Sequence, residues 1–79
     1  MSLINVYGTT WCGDCKNAKD FLDSNNIKYE WTDLDKNPEL YKYVRDINNG
    51  QEIVPTIVFS DGSFLSEPSN QQLKEKLGL

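Results

Sequence analysis

The 79-residue chain has no histidine, a single methionine, only two cysteines and three prolines, and no apolar run approaching the length of a membrane span. Without histidine it lacks the usual general base near neutral pH and the commonest metal ligand. Hydrolases of the Ser-His or Cys-His type are thereby disfavoured. Two cysteines without histidine cannot complete a four-ligand zinc site in one chain, although a site bridged between two copies stays open. Positive charge is also in deficit, with eight Lys plus Arg against twelve Asp plus Glu and a net charge of −4. That balance argues against nucleic acid or an anionic membrane surface as partner. Met1 to Tyr7 is too short for a secretory signal, so the expectation is an untargeted, cytoplasmic chain. With no linker, repeat or low-complexity segment, residues 1–79 are expected to form one domain and to act as a monomer.

What is present is enough for one sheet and a few helices: the chain is 38% hydrophobic and carries two Trp, four Tyr and three Phe. Leu3, Ile4, Val6 and Tyr7 predict a buried first strand over about residues 3–7, ended by Gly8. From Gly13, the residues Cys15, Ala18, Phe21 and Leu22 fall at helical spacing until Asn25 and Asn26 stop the pattern. Ile27, Tyr29, Trp31 and Leu34 alternate with polar residues at the period of a strand with one face covered. Asn37, Pro38 and Glu39 read as a helix start, with Leu40, Tyr43, Val44 and Ile47 on one face and Asn48 to Gly50 as the stop. Thr56 to Phe59 is a strand, Asp61 and Gly62 a hairpin turn, and Ser63 to Leu65 its antiparallel partner. Ser69 and Gln72 resemble a capping box for a last helix that carries Leu73 and Leu77 inward. The predicted order is βαβαββα, an α/β fold with a mixed four-stranded sheet flanked by three helices.

The segment Thr10-Trp11-Cys12-Gly13-Asp14-Cys15-Lys16 lies where the first strand gives way to the first helix. Unpaired amides and the helix dipole favour negative charge there, so Cys12 is the expected nucleophile. Cys15 lies nearly one helical turn on, placed to attack a mixed disulfide at Cys12 and release the substrate thiol. Trp11 is expected to shield the nucleophile or offer substrate a platform, and Gly13 to permit close approach of another backbone. The Asp14 charge suits the helix start but opposes the neighbouring thiolate. A lone C-x-x-C can also be half of a metal site or an inert buried pair; its position after a buried strand and at the head of an amphipathic helix favours redox chemistry. Val54-Pro55 opens the third strand, where Pro fits an edge because it cannot donate to the ladder. A cis bond there would leave the Val54 backbone free to pair with an extended substrate beside Cys12.

These motifs, W-C-x-x-C after the first strand and V-P-T opening the third, resemble the glutaredoxin branch of the thioredoxin superfamily over essentially the whole chain. The resemblance implies a thioredoxin-like fold, a cis Pro55, an exposed Cys12 and a more buried Cys15. Thioredoxins carry a buried acid six residues before the first cysteine, where this chain has Val6. The segment from Asp61 to Ser69 is similar to mycoredoxins and related bacterial proteins. Glutathione-using members carry a Gly-Gly-x-Asp-Asp type segment where this chain has Leu65 to Ser69. They also often have a basic residue shortly before the Val-Pro, where this chain has Gln51 and Glu52. The implied activity is thiol-disulfide exchange on S-thiolated or disulfide-containing proteins or on low-molecular-weight mixed disulfides. The implied co-substrate is mycothiol or glutathione, with a thiol reductant or reductase to restore the dithiol.

Two further readings stand beside this one. A dithiol of this kind can donate electrons to an enzyme such as ribonucleotide reductase. In the other, Cys12 from two copies and two external thiols hold a bridged [2Fe-2S] cluster, with Gly13 making room beside the sulfur. No metal ligand set is expected within one chain. Tyr29, Tyr41 and Tyr43 are read as packing or solvated surface, and Asp33, Asp35 and Glu39 as a loop and helix start. Lys16 is a solvated helix residue whose charge would also favour an anionic thiol substrate. Ser69 is a cap whose helix start would also suit a substrate carboxylate.

Overall fold

Alternating apolar residues in two short segments build the centre of the sheet. The computed structural model describes residues 4–79, so the expected strand start at Leu3 lies outside the described residues. Strand β1 is Ile4–Gly8, helix α1 Gly13–Ser24 and strand β2 Glu30–Asp33. A 3-10 turn over Pro38–Leu40 leads into helix α2, Tyr41–Ile47, followed by strands β3, Thr56–Phe59, and β4, Phe64–Ser66, and helix α3, Asn70–Leu77. The strand order is β2-β1-β3-β4. Strand β1 runs parallel to β2 and antiparallel to β3, and β3 is antiparallel to β4. This is the predicted βαβαββα order.

One face of the sheet holds the main core. Ile4 and Val6 of β1 and Ile57 and Phe59 of β3 pack with Ala18 and Leu22 of α1 and Leu73 of α3. Burying each such aliphatic side chain contributes about 1.5–3 kcal/mol relative to leaving it in water. The opposite face is covered by the short α2, whose Val44 is fully buried while Tyr43 leans on Tyr7 of β1 with ring centroids 5.3 Å apart.

Strand β2 is shorter than its alternation predicts. Among the described residues its pairing with β1 begins at Asn5↔Glu30, and Ile27 and Tyr29 pack on the core ahead of it. The second helix also opens differently from the expectation. Asn37 makes no cap; its amide donates to the Asp33 carbonyl at 3.0 Å, and Pro38 starts a 3-10 turn rather than the α-helix itself. At α3 the capping box is present: Ser69 Oγ accepts from the Gln72 N–H at 3.1 Å, and the Gln72 side chain accepts from the Ser69 N–H at 2.8 Å. The hairpin between β3 and β4 turns at Gly62, whose φ of 86° lies in the region that favours glycine.

A buried polar cluster ties α2 to the sheet. The Asn48 amide donates to the Val44 carbonyl at 2.9 Å and to Thr56 Oγ1 at 3.1 Å, and its oxygen accepts from the Ser66 hydroxyl. Thr56 in turn donates to the Ile53 carbonyl at 2.7 Å. Each polar side chain of this cluster is thereby partnered, and the segment just before β3 is held in place.

Candidate active site

Helix α1 begins on a sulfur. Cys12 has extended backbone angles, φ −89° and ψ 115°, and occupies the N-cap position, where its side chain accepts the Cys15 N–H at 3.2 Å. The preceding turn is closed by the Cys12 N–H donating to the Thr9 carbonyl at 3.4 Å. Both cysteines are free thiols; Cys12 is half-buried and Cys15 fully buried. Burial first, and the neighbouring Cys12 side chain second, push the Cys15 thiol up to about 12, so it stays protonated near neutral pH.

Across from Cys12 lies the start of β3. The Val54-Pro55 bond is cis, as the resemblance implies. The Cys12 thiol points at the Val54 carbonyl, 3.7 Å away. Cys12, Cys15, Val54 and Pro55 therefore converge, although 42 residues separate the nucleophile candidate from the carbonyl. The Pro55 carbonyl accepts the Glu67 N–H at 2.8 Å, which brings the segment ahead of α3 to the same edge.

The remaining expected residues fall around this centre. Trp11 is 72% exposed, and its indole N–H donates to Asp35 at 2.9 Å. A Cβ on Gly13 would meet nothing within 4 Å, so the space beside Cys12 is open. The exposed Lys16 ammonium is engaged by Asp20 at 2.8 Å. Ser69 caps α3, and α3 touches α1 through the amide of Asn17 donating to Asn70 at 3.2 Å.

Three contributions escaped the sequence reading. Asp35 anchors Trp11 and also accepts from the Tyr41 hydroxyl at 2.6 Å; its carboxyl is held below the usual range by Tyr41 first and Trp11 second. Gly8, read only as a strand end, is a packing necessity, because a Cβ there would lie 2.5 Å from Cys15 Sγ and 3.0 Å from the Trp31 ring. Lys19 places its ammonium 3.8 Å from the centroid of the Trp31 ring. Gly8 carried a usable signal, since it directly precedes the loop to the cysteines. The other two contacts had none, because they depend on which strand lies beside β1.

The family model described as Glutaredoxin matches residues 4–65. The chain belongs to the glutaredoxin family. It is similar to a predicted glutaredoxin of Mycobacterium tuberculosis, 39% identical over 74 residues, which span 94% of this chain and 88% of that protein. It is also 32% identical to Mycoredoxin 1 of Corynebacterium glutamicum over 77 residues, 98% of this chain and 95% of the relative. Among solved structures, the glutaredoxin of Archaeoglobus fulgidus superposes with a TM-score of 0.83 at 26% identity, covering 98% of this chain and 87% of that one. This glutaredoxin is a thiol-disulfide oxidoreductase, of a family that acts on disulfide substrates with low-molecular-weight thiols as co-substrates. Among the described residues, no helix is long and apolar enough to cross a membrane.

Proposed function

We propose that this glutaredoxin reduces mixed disulfides on proteins and small molecules, with Cys12 as nucleophile and Cys15 as resolving thiol. The observation that carries the reading is the position of the Cys12 sulfur. It caps α1, accepts the Cys15 N–H, and opens toward the Val54 carbonyl and the uncrowded side at Gly13. Cys12 attacks the accessible sulfur of the substrate, the first thiol leaves, and Cys15 then closes the Cys12–Cys15 disulfide as the second thiol departs. A Cys12→Ser variant should lose turnover on a disulfide substrate; retained turnover overturns the reading. A Cys15→Ser variant that still removes a small thiol from proteins supports monothiol exchange. One that only traps its partners supports a dithiol donor to an enzyme such as ribonucleotide reductase.

Of the two candidate co-substrates, mycothiol fits better than glutathione. Glutathione carries two carboxylates, whereas the edge around Cys12 presents Asp14, Asp35 and Glu67, and Lys16 and Arg45 are already paired with carboxylates. Lys16 pairs with Asp20, and Arg45 of α2 with Glu52 at 2.6 Å. A thiol without carboxylates meets no such repulsion. The relation to Mycoredoxin 1 points the same way. After oxidation, recovery of the dithiol should be faster with mycothiol and its reductase than with the glutathione pair; the reverse order overturns this choice.

A further inference from the structure

A resolving thiol buried as deeply as Cys15 has a chemical problem. It must shed its proton to attack, yet burial favours the neutral thiol. No histidine exists to take the proton, and Val6, six residues before Cys12, is fully buried and apolar. The stabilisation of charge at Cys15 must come from elsewhere.

Lys19 is four residues after Cys15 on α1, so both side chains share one face of the helix, one turn apart. That face meets Trp31 of β2, whose ring and the Cys15 sulfur flank the same small space at Gly8. The Lys19 ammonium sits over this ring at 3.8 Å from its centroid. Lys16, Lys42, Arg45 and Lys76 each pair with a carboxylate, whereas Lys19 makes no ion pair among the described residues. A cation held over an indole keeps its charge available while its position is fixed. The Lys19 charge favours the charged form of Cys15.

We propose that Lys19, held by the Trp31 ring, is a positioning residue that readies Cys15 for the second step of exchange by placing a positive charge beside its sulfur. The inference rests on the roles given to Cys12 and Cys15 above. In this step the Cys15 thiol releases its proton to solvent and its sulfur attacks Cys12. The Cys12–Cys15 bond forms, the bond from Cys12 to the substrate sulfur breaks, and the substrate leaves as a thiolate that takes up a proton. The protein dithiol is oxidised by two electrons and the substrate disulfide is reduced by two. Lys19 exchanges no proton; it lowers the energy of the intermediate thiolate.

The test is stopped-flow reaction of the reduced protein with uncharged 2,2′-dithiodipyridine, which releases one thiopyridone when Cys12 attacks and a second when Cys15 resolves. Lys19→Gln and Lys19→Met should leave the first phase within about twofold of the unaltered protein and slow the second about three- to tenfold, as expected for removing one nearby charge from a partly screened site. Lys19→Arg should restore the second phase. An unchanged second phase in the neutral variants, equal slowing of both phases, or failure of Lys19→Arg to restore the rate overturns the role of Lys19. A second phase missing from the unaltered protein, or persisting in Cys15→Ser, overturns instead the assignment of Cys15.

Discussion

The indole N–H of Trp11 donates to Asp35 across 2.9 Å, although 24 residues separate the two in sequence. The contact fixes the exposed ring directly before Cys12, and the Tyr41 hydroxyl holds the other carboxylate oxygen at 2.6 Å. A freely rotating Trp11 would have to be ordered each time a substrate bound. Asp35→Ala should therefore raise KM for a disulfide substrate about threefold with little change in kcat, by the cost of ordering one side chain. An equal fall in kcat would show that Asp35 serves something other than substrate docking.

The same carboxylate sets the titration of a tyrosine. The hydrogen bond to Asp35 comes first among the causes that push Tyr41 up to about 12. Ultraviolet titration of Asp35→Ala should show one tyrosine ionising closer to the ordinary value of about 10. An unchanged curve would mean that the bond to Asp35 does not control Tyr41.

Gly8 leaves no room for a side chain. A methyl group there meets the buried Cys15 Sγ and the half-buried Trp31 ring. Gly8→Ala should destabilise the reduced protein by about 1–3 kcal/mol, the usual cost of overpacking. In a Cys15→Ala background the same change should cost measurably less, because the sulfur is gone and only the ring remains. Equal costs in the two backgrounds, read from denaturant midpoints, would place the clash elsewhere.

Cys15 also links stability to pH. Its folded-state pKa is raised from about 9 to about 12, so its contribution is fully present below pH 9 and is lost as pH rises from there toward 12. Over that window the reduced protein should lose up to about 1.4 kcal/mol per pH unit more than Cys15→Ala, which lacks the group. Parallel stability curves for the two proteins would show that Cys15 ionises as readily when folded as when unfolded.

Asn48 joins α2 to β3 and β4 through donors and an acceptor that are all satisfied. Asn48→Ala takes the acceptor from the Ser66 hydroxyl and one donor from Thr56, which keeps its bond to the Ile53 carbonyl, and about 1–3 kcal/mol of stability should go with them. A loss below about 0.5 kcal/mol, measured by urea denaturation, would indicate that water replaces the amide.

Most of the architecture was legible because it rests on short-range regularities. Helix α1 was readable from Cys15, Ala18 and Leu22 at helical spacing, and the start of α3 from the Ser69–Gln72 pair, since every partner lies within one or two turns. The position of Cys12 at a helix start follows from the same local logic. Boundaries were less legible: Ile27 and Tyr29 continue the alternation of β2, but among the described residues the ladder with β1 begins only at Glu30. Pro38 suits a 3-10 turn as well as an α-helical first turn, because either tolerates its missing N–H.

The amino-acid order alone determined the element types, the cysteine pair at the head of α1 and the proline that opens β3, because propensity, periodicity and capping act between neighbours. Only the tertiary structure decided which distant groups surround the sulfurs. The parallel register that sets Val6 against Trp31 brings that indole to Gly8, Cys15 and Lys19, and the turn after β2 delivers Asp35 to Trp11. Register is a property of whole strands packed against a core, so no local pattern in the chain could reveal it.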